Sequence, residues 1–319
     1  MEFRMYNYPK INLLVASKIH PDYEKINEEV SQWTIQFKLQ SSDKKKYKRE
    51  IFVKLGCMCY PDGDYDRTIL ISKWIVHTFE LDDFIEGNVN CSFFDSLINH
   101  GSENNDVITI MDKCFEYEET PLVSSFADLW KQFKSISNKT WQKRFAHNYI
   151  WFLKSLSWER NIIETKRIPT LAEYMEYRHY TVGMDFCLNL IEISRNIFIP
   201  DSVLANTTLQ RLNYLTGNIC AFVNDIYSFE KEKRDGQIFN LVIIMKHEYN
   251  LGDQEAINKA TDLVNDEIKK FLVTQRLMPI FEANVNESVQ KYVDSFKTWI
   301  SGNHDWGFQS GRYKVMFDS

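Results

Sequence analysis

Glycine and proline are scarce in this chain, with 11 and 7 in 319 residues, and no stretch gathers them with serine into a linker. That scarcity excludes small modules on flexible tethers. The chain therefore reads as one domain, 1–319, with residues 1–20 as an N-terminal strap broken at Pro9 and Pro21. Long hydrophobic runs are missing too. The longest uncharged apolar run is residues 241–245, far too short for a bilayer span, so no stable membrane insertion is expected. The N-terminus has an early acid at Glu2 and no apolar stretch of the kind that secretion signals carry. A strongly basic face is lacking: net charge is −6, and the one basic cluster, residues 44–49, is short. Nucleic acid is excluded on that ground. Six cysteines are scattered, and Cys57-Met58-Cys59 has no second Cys or His pair at zinc spacing. They read as reduced, mostly buried thiols of a cytoplasmic protein. Sustained alternation of apolar and polar residues is absent, as are hairpin signals and fixed-length repeats.

What is present is an aromatic load of 22 Phe, 16 Tyr and 8 Trp within a 44% apolar composition, enough to build a large core and line a cavity as well. Helical periodicity follows helical periodicity. Patterns cover residues 22–39, 43–55 (closed by Gly56), 67–86 (stopped by Gly87), 92–99, 121–137, 140–164 and 170–180. After a break at Gly183 they resume to 196, then run over 201–233, 237–249, 253–272 and 286–301. The class is all-α, with roughly ten helices by these start and stop signals.

Two polar constellations stand out from this pattern. In Asn224-Asp225-Ile226-Tyr227-Ser228-Phe229-Glu230-Lys231-Glu232, the residues Asn224, Ser228 and Glu232 fall at i, i+4 and i+8. A helix puts them on one face, as an amide oxygen, a hydroxyl and a carboxylate. Three hard oxygen donors in a row suit a small cation such as Mg²⁺, which shares its sites readily with phosphate. The face opens directly after the apolar run Ile219-Cys220-Ala221-Phe222-Val223, like the wet mouth of a dry interior. The second constellation is Asp82-Asp83-Phe84-Ile85-Glu86, where Asp82 and Glu86 share a face and Asp83 is rotated by about 100°. Carboxylates at a helix C-terminus oppose the macrodipole and repel one another, and a bound divalent cation relieves both penalties.

The two together resemble the class I terpene synthases. The first fits the family's NDxxSxxxE, including Asp225 and the Lys231-Glu232 ending, and the second fits DDxx(x)D/E about 140 residues upstream, with Phe79 three residues before it. Arg178 lies 46 residues before Asn224, where the family has its diphosphate-sensing arginine, and Trp306 precedes Arg312-Tyr313 like the family's W…RY ending. These matches span residues 79 to 313.

The resemblance implies a helical bundle around a deep aromatic active-site cavity. It implies Asp82 and Glu86 as ligands of two Mg²⁺, Asn224, Ser228 and Glu232 as ligands of a third, and Mn²⁺ as a substitute metal. Arg178, Lys231, Arg312 and Tyr313 hold the diphosphate, and Asp83 pairs with Arg178 on closure. Phe79 and Trp306 line the cavity, with some of Trp74, Phe186, Phe222 and Tyr149. Gly183 breaks a helix so that Thr181 and Val182 sit at the effector position. Glu86 departs from the commonest final Asp of its motif. The activity implied is metal-dependent ionisation and cyclisation of a prenyl diphosphate, farnesyl diphosphate for a chain of this length, with geranyl and geranylgeranyl diphosphate as alternatives. A homodimer is left open. A prenyl-chain-elongating synthase requires a second DDxxD, and Asp82-Asp83 is the only DD pair on offer. An inactive helical binding protein is the remaining rival.

Overall fold

The computed structural model describes residues 2–3, 5–39, 51–86, 92–100, 106–117 and 120–316. The expected start of the 43–55 helix, the basic cluster at 44–49, Gly87 and Cys91 lie outside the described residues. The helices are α1 Tyr23–Gln36, α2 Phe52–Cys59, α3 Tyr65–Glu86, α4 Ser92–His100, α5 Val107–Asp112, α6 Pro121–Ile136 and α7 Lys139–Thr165. They continue as α8 Leu171–Thr181, α9 Met184–Ser194, α10 Asp201–Leu204, α11 Thr207–Arg234, α12 Leu241–Tyr249, α13 Asp253–Arg276 and α14 Ala283–Gln309. Short 3-10 turns lie at Lys113–Phe115 and Gly311–Tyr313. The class is all-α. A two-residue antiparallel ladder, β1 Glu2–Phe3 with β2 Val315–Met316, is too short to leave a period in the sequence.

Short polar side chains set the helix starts by accepting the orphan backbone N–H groups. Thr120 caps α6, which has proline in its first turn, and Asn138 caps α7. Thr170 and Glu173 form a capping box on α8. Two starts differ from expectation for the same reason. Asn206, inside the expected 201–233 helix, is extended and bonds the N–H groups of Thr208 and Leu209, so α10 ends and α11 begins anew. Asn240 likewise moves the start of the expected 237–249 helix to Leu241. In two other places glycine does not end a helix. α2 passes through Gly56 to Cys59, and α14 runs on through Gly302 to Gln309. Gly302 is there for close approach, since a Cβ would lie 2.5 Å from the Met58 carbonyl oxygen of α2.

α11 packs against α13 and α14 on one side and α8 and α9 on the other, while α3 packs on α1, α2, α6 and α9. Between α3 and α11 the aromatics divide. Trp74 is fully buried, with Phe126, Phe133, Phe145 and Tyr149 around it at 5.0–5.7 Å between ring centroids. These rings form a core. A second set lines a cavity closed at the floor and open at one end. The strap is tied to α11 and α14. Met5 N–H and the Tyr8 hydroxyl both donate to Glu230 Oε1, at 3.0 and 2.7 Å, and Ser301 donates to the Val15 carbonyl.

Candidate active site

The cavity holds about 1110 Å³, open mouth included. α11 brings Asn224, Lys231 and Glu232 to its rim, α3 brings Phe79 and Asp82, and α8 brings Arg178 and Thr181. Val182, Trp306, Arg312 and Tyr313 line it as well. Residues scattered from 79 to 313 thus share one concavity. Ser228 is fully buried behind the rim, on the turn of α11 between Asn224 and Glu232. Asp83 stands beside Asp82 at the mouth, and Gly183 sits at the α8–α9 break with φ +69°. The Glu86 side chain lies outside the described residues.

The mouth is a set of charges bonded to one another. Arg178 Nη2 donates to Asp225 Oδ1 at 2.6 Å and to Asn224 Oδ1 at 3.2 Å, while Nη1 reaches Thr181 Oγ1 at 3.1 Å. Asp225 is saturated, since its Oδ2 accepts from the Tyr174 hydroxyl at 2.6 Å and from Leu241 N–H at 2.7 Å. Asn224 Nδ2 donates to the Tyr313 hydroxyl at 2.7 Å. Arg312 Nη2 reaches Asp82 Oδ2 at 3.4 Å and Asp83 Oδ1 at 3.2 Å, which ties the C-terminal Arg-Tyr pair to the first acidic motif. Here Arg178 is paired with Asp225 and Asp83 with Arg312, and the pairing of Asp83 with Arg178 is expected only on closure.

Asn240 is a site residue that sequence reasoning missed. It is fully buried, and its Nδ2 bonds Glu232 Oε2 at 2.9 Å, Ser228 Oγ at 3.4 Å and the Asp225 carbonyl at 2.8 Å. Its Oδ1 caps α12. A helix cap thus fixes two of the three expected α11 ligands. Burial, and then the Asp225 charge, push the Glu232 carboxyl up, against the opposing pull of Asn240, Arg178 and Ser228. Glu159, also missed, faces the cavity from α7. Burial pushes it up to about 8; Arg178 opposes this, and Asp82, Glu232 and Asp225 add to it.

Below the charged rim the wall is apolar. Phe79 stacks on Phe52 at 4.1 Å and lies 5.7 Å from Trp306. The Arg312 guanidinium sits 5.1 Å over the Phe79 ring, which is cation–π range. Phe186 lines the floor as expected, together with Phe152 and Trp299, which were not foreseen. Trp74, Tyr149 and Phe222 are core residues outside the cavity lining. Cys187 and Cys220 complete the lower wall as free thiols that burial pushes well above the usual range.

The donor set at the rim is all oxygen, which fits a hard divalent cation better than a thiolate- or imidazole-seeking metal. Among the described residues no group of three or more His, Cys, Asp or Glu side chains is placed to hold a metal. The α11 face brings one carboxylate with an amide and a hydroxyl, which leaves room for phosphate oxygens as further ligands.

Comparison with known proteins agrees with this geometry. The family model described as terpene synthase family 2, C-terminal metal binding, matches residues 73–270. The (+)-T-muurolol synthase of Roseiflexus castenholzii, named as cyclising (2E,6E)-farnesyl diphosphate, is 26% identical over 300 residues, covering 93% of this chain and 91% of its own length. Sesquiterpene synthase 6 of Postia placenta is 31% identical over 266 residues, 81% of this chain and 75% of that protein. The crystal structure of an α-eudesmol synthase superposes with a TM-score of 0.79 at 21% identity, covering 95% of this chain and 99% of that one.

Proposed function

The chain belongs to terpene synthase family 2 and is a lyase of that family, and from this premise we propose that it ionises and cyclises farnesyl diphosphate to a sesquiterpene. One observation carries the proposal. Asp82 on α3 and Asn224 and Glu232 on α11, with Arg178, Arg312 and Tyr313, converge on the mouth of a cavity whose wall is aromatic. The matched family is a metal-binding one, so divalent metal dependence follows. We assign the metal as Mg²⁺, three ions in number and replaceable by Mn²⁺, held by Asp82, Glu86, Asn224, Ser228 and Glu232. Bound metal supplies Lewis-acid neutralisation of the diphosphate leaving group.

The remaining work falls to the chain's own side chains. Arg178, Lys231, Arg312 and Tyr313 hold the diphosphate as the allylic C–O bond breaks and the electron pair leaves with its oxygen. Arginine suits this role because its planar fork grips phosphate oxygens two at a time. Phe79, Phe186 and Trp306 face the cation that remains, and aromatic faces stabilise such charge by up to about 2 kcal/mol each when dry. The apolar floor keeps water from the cation until one of its own double bonds closes the ring and a proton departs. Thr181 and Val182, before the Gly183 break, occupy the effector position. Two further observations bear on scope. Asp225 has both oxygens committed to Tyr174, Arg178 and Leu241, so it is not available as part of a second acidic metal motif, which disfavours chain elongation. The five described cysteines are all free, which fits a cytoplasmic setting, and among the described residues no helix is long and apolar enough to cross a membrane. We assign 1–319 to one catalytic domain, strap included.

The test incubates purified protein with Mg²⁺ and, separately, geranyl, farnesyl and geranylgeranyl diphosphate, and analyses the extracts by gas chromatography and mass spectrometry. A cyclic C15 hydrocarbon or alcohol from the farnesyl arm, absent with chelator, is the expected result. Cyclic product only from another arm corrects the substrate, and no product from any arm overturns the proposal.

A further inference from the structure

The α7 face that lines the cavity reads Phe152, Leu156 and Glu159, two apolar residues toward the floor and then a carboxylate level with the charged rim. Among the described residues, three carboxylates line this cavity. Asp82 is paired with Arg312, and Glu232 accepts from Asn240. Among the described residues Glu159 has neither a hydrogen bond nor an ion pair, although it is largely enclosed and belongs to neither acidic motif.

An enclosed carboxylate without a partner is a liability for folding. Its desolvation is not offset by any bond, and replacing it with a neutral residue of the same shape normally leaves stability unchanged or higher. Of its charged neighbours, Arg178 favours its ionised form while Asp82, Glu232 and Asp225 oppose it. The two arginines of the rim are bonded elsewhere, Arg178 to Asp225 and Arg312 to Asp82 and Asp83, so among the described residues Glu159 is left without a hydrogen-bond donor of its own. Hydrated divalent cations bring positive charge and hydrogen-bond donors. Mg²⁺ gives up its waters reluctantly, and each retained water carries two acidic protons that need acceptors.

Building on the function proposed above, we propose that Glu159 is a positioning residue for the metal–diphosphate head group, its carboxylate accepting hydrogen bonds from metal-bound water across the rim from Asn224 and Glu232. It is not a ligand itself, since α7 brings no other donor to the rim beside it. It acts through the waters, as outer-shell carboxylates do at other metal sites, where losing one typically costs about 10–100-fold in metal affinity.

The test separates this role from a structural one by measuring two quantities with opposite expected signs. Mn²⁺ binding is followed by the electron paramagnetic resonance of the free ion, with inorganic diphosphate present, in the wild type, Glu159→Gln and Glu159→Asp. Melting temperatures are taken on the metal-free proteins. Glu159→Gln should weaken Mn²⁺ binding by about 10–100-fold while the metal-free melting temperature stays level or rises, and Glu159→Asp, which keeps the charge on a shorter arm, should recover part of the affinity. The inference is overturned if Glu159→Gln binds Mn²⁺ within about twofold of wild type, which would indicate a neutral hydrogen-bonding role, or if its metal-free melting temperature falls, which would indicate a scaffold role. Wild type that takes up no Mn²⁺ with diphosphate takes down the proposed function along with this inference. A binding wild type with an unaffected variant takes down the inference alone.

Discussion

Arg178 donates from Nη2 to Asn224 Oδ1 at 3.2 Å, so the arginine proposed to sense diphosphate rests on the very oxygen proposed to ligate metal. That bond holds each residue to the other rather than to its proposed ligand. Diphosphate that draws Arg178 away frees Asn224, and metal that takes Asn224 frees Arg178, so the two ligands should assist each other, and reciprocally. Mg²⁺ titrated calorimetrically should bind about 5–150-fold more tightly with inorganic diphosphate present than without it, beyond what direct metal–diphosphate association accounts for. Arg178→Lys keeps a charge for Asp225 but loses the fork that also reaches Asn224. In that variant metal alone should bind at least as well as in wild type, while the enhancement by diphosphate and the turnover both collapse. Enhancement that survives in Arg178→Lys would show that the contact does not couple the two sites.

Asn240 offers a separate handle on the α11 ligands, because one side chain serves both as the cap of α12 and as a donor to Glu232 and Ser228. Asn240→Ala removes both functions and should cost about 1–3 kcal/mol of stability as well as activity. Asn240→Asp keeps the cap acceptor but sets a second carboxylate against Glu232. Its stability should fall as well, because a fully buried carboxylate then faces acceptors alone, and product formation should fall steeply even at temperatures where the fold is intact. Denaturant titration and product yield measured together decide this, and an active Asn240→Asp would mean that the orientation of Glu232 does not depend on this residue.

These two residues also mark the limit of what the sequence made legible. Asn224, Ser228 and Glu232 were readable because helical spacing alone puts them on a face, and the i, i+4, i+8 interval survives any packing of the rest. Asp82, Phe79, Arg178, Trp306 and Arg312 could be placed only by resemblance, since nothing local says that α3, α8 and the Gly311–Tyr313 turn meet. Asn240 and Glu159 carry no local sign at all. Asn240 resembles any N-cap asparagine until the C-terminal end of α11 is seen to lie under it, and Glu159 resembles any solvated helix glutamate until its face is seen to turn inward. The aromatics failed differently. Hydrophobicity puts a ring inside but does not say whether it meets core or cavity, so Trp74 and Phe222 could not be told from Phe152 and Trp299.

Gly183 joins the break between α8 and α9 to the cavity floor. Its φ of +69° is a conformation that L side chains rarely adopt, and a Cβ there would lie 2.6 Å from Cε1 and 2.8 Å from Cζ of Phe186, with Phe152 Cδ2 at 3.3 Å. Gly183→Ala should therefore lose about 1–3 kcal/mol to strain and displace one or both floor rings. Because those rings shape the space in which the cation folds, the product distribution should change more than the rate of substrate consumption. A melting temperature and a product ratio both equal to wild type would show that the break tolerates a side chain and that the floor does not depend on it.

His77, one turn before the first acidic motif on α3, gives the fold a pH dependence of definite sign. It is fully buried, and its Nδ1 lies 3.0 Å from Ser125 Oγ. The Ser125 hydroxyl donates to the Leu122 carbonyl, so the hydrogen between the two residues belongs to His77, and Nε2 is left buried without a partner. Burial lowers its pKa from 6.5 to about 3. A group harder to protonate folded than unfolded adds stability above its unfolded pKa, and that stability is lost as pH falls toward the folded value. From pH 7.5 to 5 the loss from this residue should be about 2 kcal/mol. Glu159, raised by burial to about 8, and Asp185, raised by burial to about 6, act in the opposite sense over the same window, so the measurable quantity is a difference. Glutamine at this position keeps a hydrogen bond to Ser125 and does not titrate. Urea denaturation at the two pH values should therefore show the metal-free wild type losing about 2 kcal/mol more than His77→Gln on acidification. Equal losses in the two proteins would mean that the buried imidazole is not what couples this fold to acid.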